Sequence, residues 1–209
     1  MMNVLIACEF SGIVRDAFLR RGHNAVSCDL LPTENPGPHY QGDVFNIINY
    51  GWDLMIAHPP CTYLTVSANA HFKCNPKRWV RRLEAVMFVW DLMIVDIKKI
   101  AVENPVGVLS TYIRQPDQYI QPYQFGDKDI KKTGLWLKNL PKLTPTNVVE
   151  PDYILYKSKK TKSGFSKYGS IGKLGKGHGK ERSRTFSGIA EAMADQWGGG
   201  STCSKQFTL

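Results

Sequence analysis

The chain of 209 residues contains no run of 18 uninterrupted apolar residues, so no membrane span is expected. Its first stretch, MMNVLIACEFSG, has no basic region ahead of the apolar one and meets Glu9 early. That argues against a secretory signal and for an intracellular protein. A Cys-x-x-Cys pair is missing as well. The five cysteines, at 8, 28, 61, 74 and 203, are odd in number and widely spaced, which supports neither a disulfide framework nor a zinc site, and no metal is expected. Internal repeats are absent. Acid is scarce in one segment: between Lys157 and Arg184 ten basic residues stand against one acid, Glu181, an excess equal to the +9 of the whole chain. A basic stripe on an otherwise neutral body is the footprint of a phosphate-backbone binder, or else a solvated surface loop.

What is present alternates between strand and helix. Apolar runs at 3–8, 24–29, 52–57 and 99–105 read as buried strands. Between the first two, Ile13, Val14, Ala17 and Phe18 recur at helical spacing and Gly22 stops them. Residues 42–48 read as a turn into a short helix or strand. Over 77–95 the spacing predicts a helix with Trp79, Leu83, Val86, Met87, Trp90 and Met93 on its buried face and Arg and Lys opposite. Residues 119–126 and 133–141 read as an antiparallel strand pair, and 186–198 as a closing amphipathic helix. The expected architecture is α/β, a doubly wound, mainly parallel sheet with helices on both faces. Ligands bind such sheets beyond the carboxyl ends of the strands, and Glu9, Asp29, Asp43, Cys61 and Glu103 all fall at strand ends or in the next turn.

One of those ends is chemically unusual. The strand at 52–57 runs into His58-Pro59-Pro60-Cys61. Two prolines remove two backbone donors and fix two φ angles, so the strand stops and a thiol is held stiffly just beyond it. A thiolate is a strong nucleophile. Read alone, the same cysteine could be a buried strand-end thiol, Glu103-Asn104-Pro105 a capped turn, and Asp29 and Asp43 ordinary turn residues.

In chain order the motifs are EFSG (9–12), CDLLP (28–32), GDV (42–44), HPPC (58–61), ENP (103–105) and the closing SRTFSGIAEAMADQWG. This order resembles the DNA cytosine-C5 methyltransferases, over most of 3–139 plus the last helix. The resemblance implies a Rossmann-like fold of the S-adenosylmethionine-dependent methyltransferase type, with S-adenosyl-L-methionine as cofactor. It implies cofactor contacts from Glu9, Phe10, Ser11, Gly12, Asp29, Leu30, Asp43, Val44 and Pro59. Cys61 would be the nucleophile that adds to C6 of a cytosine flipped out of double-stranded DNA, and Glu103, acting protonated, would grip the base.

The sequence departs from the family in places. Val14 stands where a second glycine falls, Thr62-Tyr63-Leu64 follow the Pro-Cys pair, and no arginine occurs between Arg114 and Arg182. The cationic partner of the base is therefore expected to be Lys131 or Lys132, or Arg182 or Arg184 arriving from the basic segment, with Lys132 and Arg184 taken as the catalytic pair. Residues 1–144 with 183–198 are expected to form the catalytic domain, 145–182 a short basic DNA-contacting insertion, and 199–209 a flexible tail. Lys157, Lys159, Lys160, Lys162, Lys167, Lys173, Lys176 and Arg182 are the expected DNA contacts. So small a recognition region would suit a phage or mobile-element enzyme in the cytoplasm of a bacterium or infected host. Two other readings stand beside this one. An exocyclic-amino methyltransferase acting on adenine or cytosine would use a related Pro-Pro motif, and a non-catalytic DNA-binding protein could keep the fold.

Overall fold

A computed structural model describes residues 1–66, 69, 72, 75–157, 165–170, 174 and 177–199. The apolar runs become β1 (Asn3–Ala7), β2 (Asn24–Asp29), β4 (Leu54–Ala57) and β5 (Lys99–Pro105). A three-residue strand, β3 (His39–Gln41), pairs with β2. β6 (Gln118–Ile120) and β7 (Thr133–Lys138) complete a seven-stranded sheet of order β3-β2-β1-β4-β5-β7-β6. The first five strands in that order are parallel, and β7 runs antiparallel to both its neighbours.

Helices cover both faces, as the alternation of strand and helix predicts. Val4, Ile6, Leu54, Ile56 and Ala101 point to one face, where α1 (Ile13–Leu19) and the closing helix α5 (Ser187–Trp197) pack. Leu5, Ala7, Met55, Ala57 and Val102 point to the other, under α2 (Lys77–Ile94). This alternation is the period-two consequence of the pleat, and double-sided burial is why these strands read as unbroken apolar runs. On the first face α1 and α5 are also tied at their rims, where Arg21 pairs with Glu191 and Asp195.

Two short helices, α3 (Leu109–Tyr112) and α4 (Gly179–Ser183), lie in regions without helical periodicity. Residues 42–48 resolve into a 3-10 turn, Val44–Asn46, whose first free donor is taken by Asp43: Phe45 N–H donates to its Oδ1 at 3.0 Å. Within 145–182, β8 (Ile154–Lys157) and β9 (Phe165–Tyr168) form a separate antiparallel ladder. The pair is fastened to the 123–129 loop, with Val149 N–H donating to Tyr123 O at 2.9 Å and Asp152 N–H to Lys128 O at 3.1 Å.

The face of α2 is a correction to the sequence reading. Val86 and Met93 pack against the core as expected, but Trp79, Leu83, Met87 and Trp90 are exposed; Val89 and Leu92 complete the side facing the sheet, and Arg82 is buried against Tyr63, Asn69 and Phe72. Arg82 is buried because its guanidinium lies 3.7 Å from the Phe72 ring centre and donates to Tyr63 O at 2.8 Å and Asn69 Oδ1 at 2.7 Å. A planar cation on an aromatic face, with its donors satisfied, loses little on leaving water.

Candidate active site

The strand order reverses between β1 and β4, and the polar strand ends gather at that switch point. His58 continues the β4 backbone past its last sheet pair, its N–H donating to Ala7 O at 2.9 Å. Pro59 is buried, and its carbonyl accepts a 2.9 Å bond from Asn104 Nδ2, so the residue after Glu103 pins the Pro-Pro turn. Beyond it, Cys61 O accepts from Leu64 N and Thr65 N at 3.0 and 3.1 Å. Arg82 holds Tyr63 O from the α2 side. The thiol thus sits on a loop fixed at both ends.

Glu103 and Cys61 share one electrostatic environment. Burial pushes the Cys61 thiol up, the Glu103 carboxylate pushes it further, and Lys131 and Arg182 pull it back without cancelling the rise. For Glu103 the balance is the reverse. Burial would raise its carboxyl, but a hydrogen bond from His58, the charge of Lys131 and a bond from Thr133 outweigh it and hold it below the ordinary carboxylate range. His58 Nδ1 lies 3.1 Å from Glu103 Oε2, and both side chains are largely enclosed. A carboxyl held this way is anionic at neutral pH. A protonated Glu103, expected from the resemblance, therefore requires a proton to arrive from His58 or with the bound base. His58 was not among the expected site residues, because its position in the motif carries no signal for a function.

Of the four expected cations, Lys131 and Arg182 are the ones whose charge acts at the site, and Lys132 and Arg184 are engaged elsewhere. Lys132 turns away, with Nζ 4.3 Å from the centre of the Tyr119 ring. Its neighbour Lys131 is the residue whose charge reaches both Glu103 and Cys61, and it donates to Arg182 O at 3.1 Å. Consecutive residues of an extended segment point to opposite sides, so one of the two lysines had to miss. Arg184 is held elsewhere, in a two-pronged pair with Glu34 at 2.8 and 2.9 Å. Beside Glu103, the space walled by Lys131, Thr133, Phe186 and Ile189 is about 10 Å³, too small for an aromatic ring.

On the β1–β2 side the expected contacts divide. Glu9 is an internal brace: its carboxylate accepts from Val14 N at 2.7 Å, Arg15 N at 3.2 Å and Ser11 Oγ at 3.2 Å. It thereby satisfies donors at the start of α1 that have no partner within the helix. Burial pushes its carboxyl up in spite of those bonds. Val44 is a core residue against β1 and β4. Gly12 has φ 76°, and a Cβ there would lie 2.4 Å from Arg15 Nη2. Its missing side chain makes room for the Arg15 guanidinium. Phe10 and Ser11 are buried, and Leu30 is exposed. Asp29, at the end of β2, accepts from Leu31 N at 2.9 Å through Oδ1. Asp43 is exposed beyond its capping bond.

In the basic segment, Lys157 ends β8 and is exposed, Arg182 is exposed on α4, and Lys167 lies in β9. Lys159, Lys160, Lys162, Lys173 and Lys176 fall outside the described residues.

The fold and site together define a doubly wound α/β protein with a cysteine and a carboxylate at its switch point. No family model matches the chain, and no curated protein sequence is similar to it. Among solved structures, it is similar to a prophage-encoded protein of E. coli provisionally described as a DNA modification methyltransferase. The TM-score is 0.45 and the identity 15%, over 72% of this chain and 52% of that one, so the chain spans about half its length. A likeness that distant assigns no role to any residue.

Proposed function

We propose that this chain methylates C5 of cytosine in DNA, with S-adenosyl-L-methionine as methyl donor and Cys61 as nucleophile. The observation that carries the reading is the pairing across β4 and β5. Cys61 and Glu103 stand at the carboxyl ends of adjacent parallel strands, the Glu103 charge acts on the Cys61 thiol, and Asn104 fastens the cysteine's turn. An exocyclic-amino methyltransferase has no use for that thiol–carboxylate pair.

The cofactor supplies an electrophilic methyl group on a sulfonium. The residues present suit it. The crevice between β1 and β4 holds an enclosed imidazole nitrogen, His58 Nε2, with no hydrogen-bond partner, and is flanked by Asp29. An unpartnered buried nitrogen calls for a ligand group or water. Asp29 would hold ribose hydroxyls, Asp43 the adenine side, and the Phe10–Gly12 backbone the methionine end.

Cys61 Sγ would form a bond to C6 of the flipped cytosine, which raises electron density at C5 so that C5 can take the methyl group. Glu103 would orient the base through its N3 and amino edge, with His58 Nδ1 holding the carboxylate in place from 3.1 Å. Loss of the C5 proton and departure of Cys61 Sγ restore the ring.

Nucleoside mass analysis of DNA incubated with the protein and cofactor tests the reading: 5-methylcytosine is the expected product. N4-methylcytosine or N6-methyladenine would overturn it in favour of the amino class. No methylated base, with DNA bound, would leave a binding protein. Asp29→Ala is expected to weaken cofactor binding by calorimetry about tenfold or more, since charge-assisted bonds to hydroxyls are lost. An unchanged affinity would place the ribose elsewhere.

Residues 145–182 are proposed as the DNA-contacting insertion, with the domain boundaries given by the sequence. If about half of the ten basic residues between Lys157 and Arg184 engage phosphates, log affinity should fall against log salt with a slope of roughly −4 to −5. Replacing Lys157, Lys159, Lys160 and Lys162 by alanine should flatten that slope and weaken binding alike on all sequences. Salt-insensitive binding in titrations would show a solvated segment instead.

A further inference from the structure

The outer face of α2 has no partner among the described residues. Val80, Leu83, Met87, Trp90 and Ile94 are between 49% and 64% exposed. Their spacing is three, four, three, four. The side that packs on the sheet follows a different row, through Arg82, Val89 and Leu92. A strict three-four alternation is the seam of a two-helix coiled coil, narrower than the stripe by which a helix packs on a sheet. It runs the length of an 18-residue helix, about 27 Å.

The seam continues into a cavity. At the end of the sheet opposite Cys61, about 590 Å³ of open space is lined by Trp90, Ile94, Ile113, Trp136 and Leu137. Its origin is topological. The connection from β5 to β6 carries only the four-residue α3, so no long helix lies beside α2 over β5 and β7.

We propose that this face is a two-fold interface, occupied by α2 of a second copy of the chain in antiparallel orientation. The charges beside the seam are self-complementary in that orientation. Lys77, Glu84 and Asp91 recur every seven residues along one flank, all exposed. An antiparallel partner brings Lys77 of each copy to Asp91 of the other, twice per dimer. Glu84 of both copies meets near the axis, where each is already neutralised by Arg81 at 3.0 Å. The same orientation carries Trp79 and Val80 of each copy towards the cavity at the far end of the other. One patch therefore supplies both the knob and the hole, which is the condition for a closed dimer.

Sedimentation equilibrium of the full-length chain reads the assembly. The expected result is a dimer at micromolar concentration. Leu83→Glu with Met87→Glu is expected to give a monomer of unchanged circular dichroism, since both positions are exposed. Lys77→Asp should raise the dimer dissociation constant about tenfold, and Lys77→Asp with Asp91→Lys should restore it. Met87→Cys should cross-link to itself on oxidation under conditions where the parent does not. A parent chain that stays monomeric to about 100 µM would overturn the proposal, since interfaces of this kind hold at lower concentration. So would a dimer that survives the double glutamate variant, or a charge exchange that fails to restore association.

Discussion

Replacing Cys61 by serine is expected to abolish methyl transfer, by about a thousandfold or more, while folding and cofactor binding stay intact. Serine nearly matches the thiol in size, but at neutral pH it offers almost no anion to add at C6. The surroundings sharpen the expectation. Burial and the Glu103 carboxylate hold the Cys61 thiol above its ordinary value, and Lys131 and Arg182 only partly offset them. The free protein is therefore expected to react sluggishly with iodoacetamide at Cys61 at pH 7 and faster as pH rises, because only the thiolate attacks. Lys131→Met removes one of the two cations and should slow alkylation further at every pH. On the proposed reading, a DNA base in contact with Glu103 would remove part of the anionic repulsion, and the thiolate would become accessible where it is needed. A 5-fluorocytosine oligonucleotide should trap the adduct with the parent and not with Cys61→Ser, read by denaturing electrophoresis. A serine variant that still transfers methyl groups would remove the thiol from the chemistry altogether.

The strands that carry this site were legible because they are buried on both faces, and a strand of that kind is an apolar run with a sharp end. Cys61 and Glu103 could be paired from sequence because each ends such a run. β3 could not be read: His39–Gln41 is three residues long, at the sheet edge, with no apolar pattern. The buried side of α2 was misassigned because the helix has two apolar rows, and the row with the larger side chains faces outward. Its inner row includes Arg82, whose burial depends on Phe72 and on the carbonyl of Tyr63, contacts that only the fold creates. The choice of Lys131 over Lys132 turns on which way an extended segment faces, and the bond of Arg184 to Glu34 spans the whole chain. Composition and spacing carry no trace of either.

The largest loss of stability is expected at Arg15, a residue that its helical position would put in solvent. Its side chain is fully buried. Nε donates to Asp16 Oδ1 at 2.8 Å, Nη1 to Ser27 Oγ at 3.1 Å and Thr33 Oγ1 at 3.2 Å, and Nη2 to Asn35 O at 3.0 Å. One guanidinium therefore ties α1 to β2 and to the loop that follows Asp29. Two glycines leave space for it: a Cβ on Gly12 would come within 2.4 Å of Arg15 Nη2, and one on Gly37 within 2.8 Å of Cζ. Arg15→Met keeps most of the stem but removes every donor, leaving the buried Ser27 hydroxyl and the partly buried Asp16 and Thr33 oxygens without their cation. The expected cost is about 3–5 kcal/mol, as when one partner of a buried ionic network is removed. Arg15→Lys should recover little, because a point charge cannot reach four separated acceptors. Urea denaturation reads both, and a loss below about 1 kcal/mol would mean that water replaces the fork at no cost. Gly37→Ala supplies an independent check. In the parent it meets the guanidinium and should destabilise. In the Arg15→Met background that obstacle is gone, so the two substitutions together should cost clearly less than their sum. Cofactor affinity should fall with Arg15→Met even in the fraction that remains folded, because Asp29 precedes the loop that the guanidinium holds.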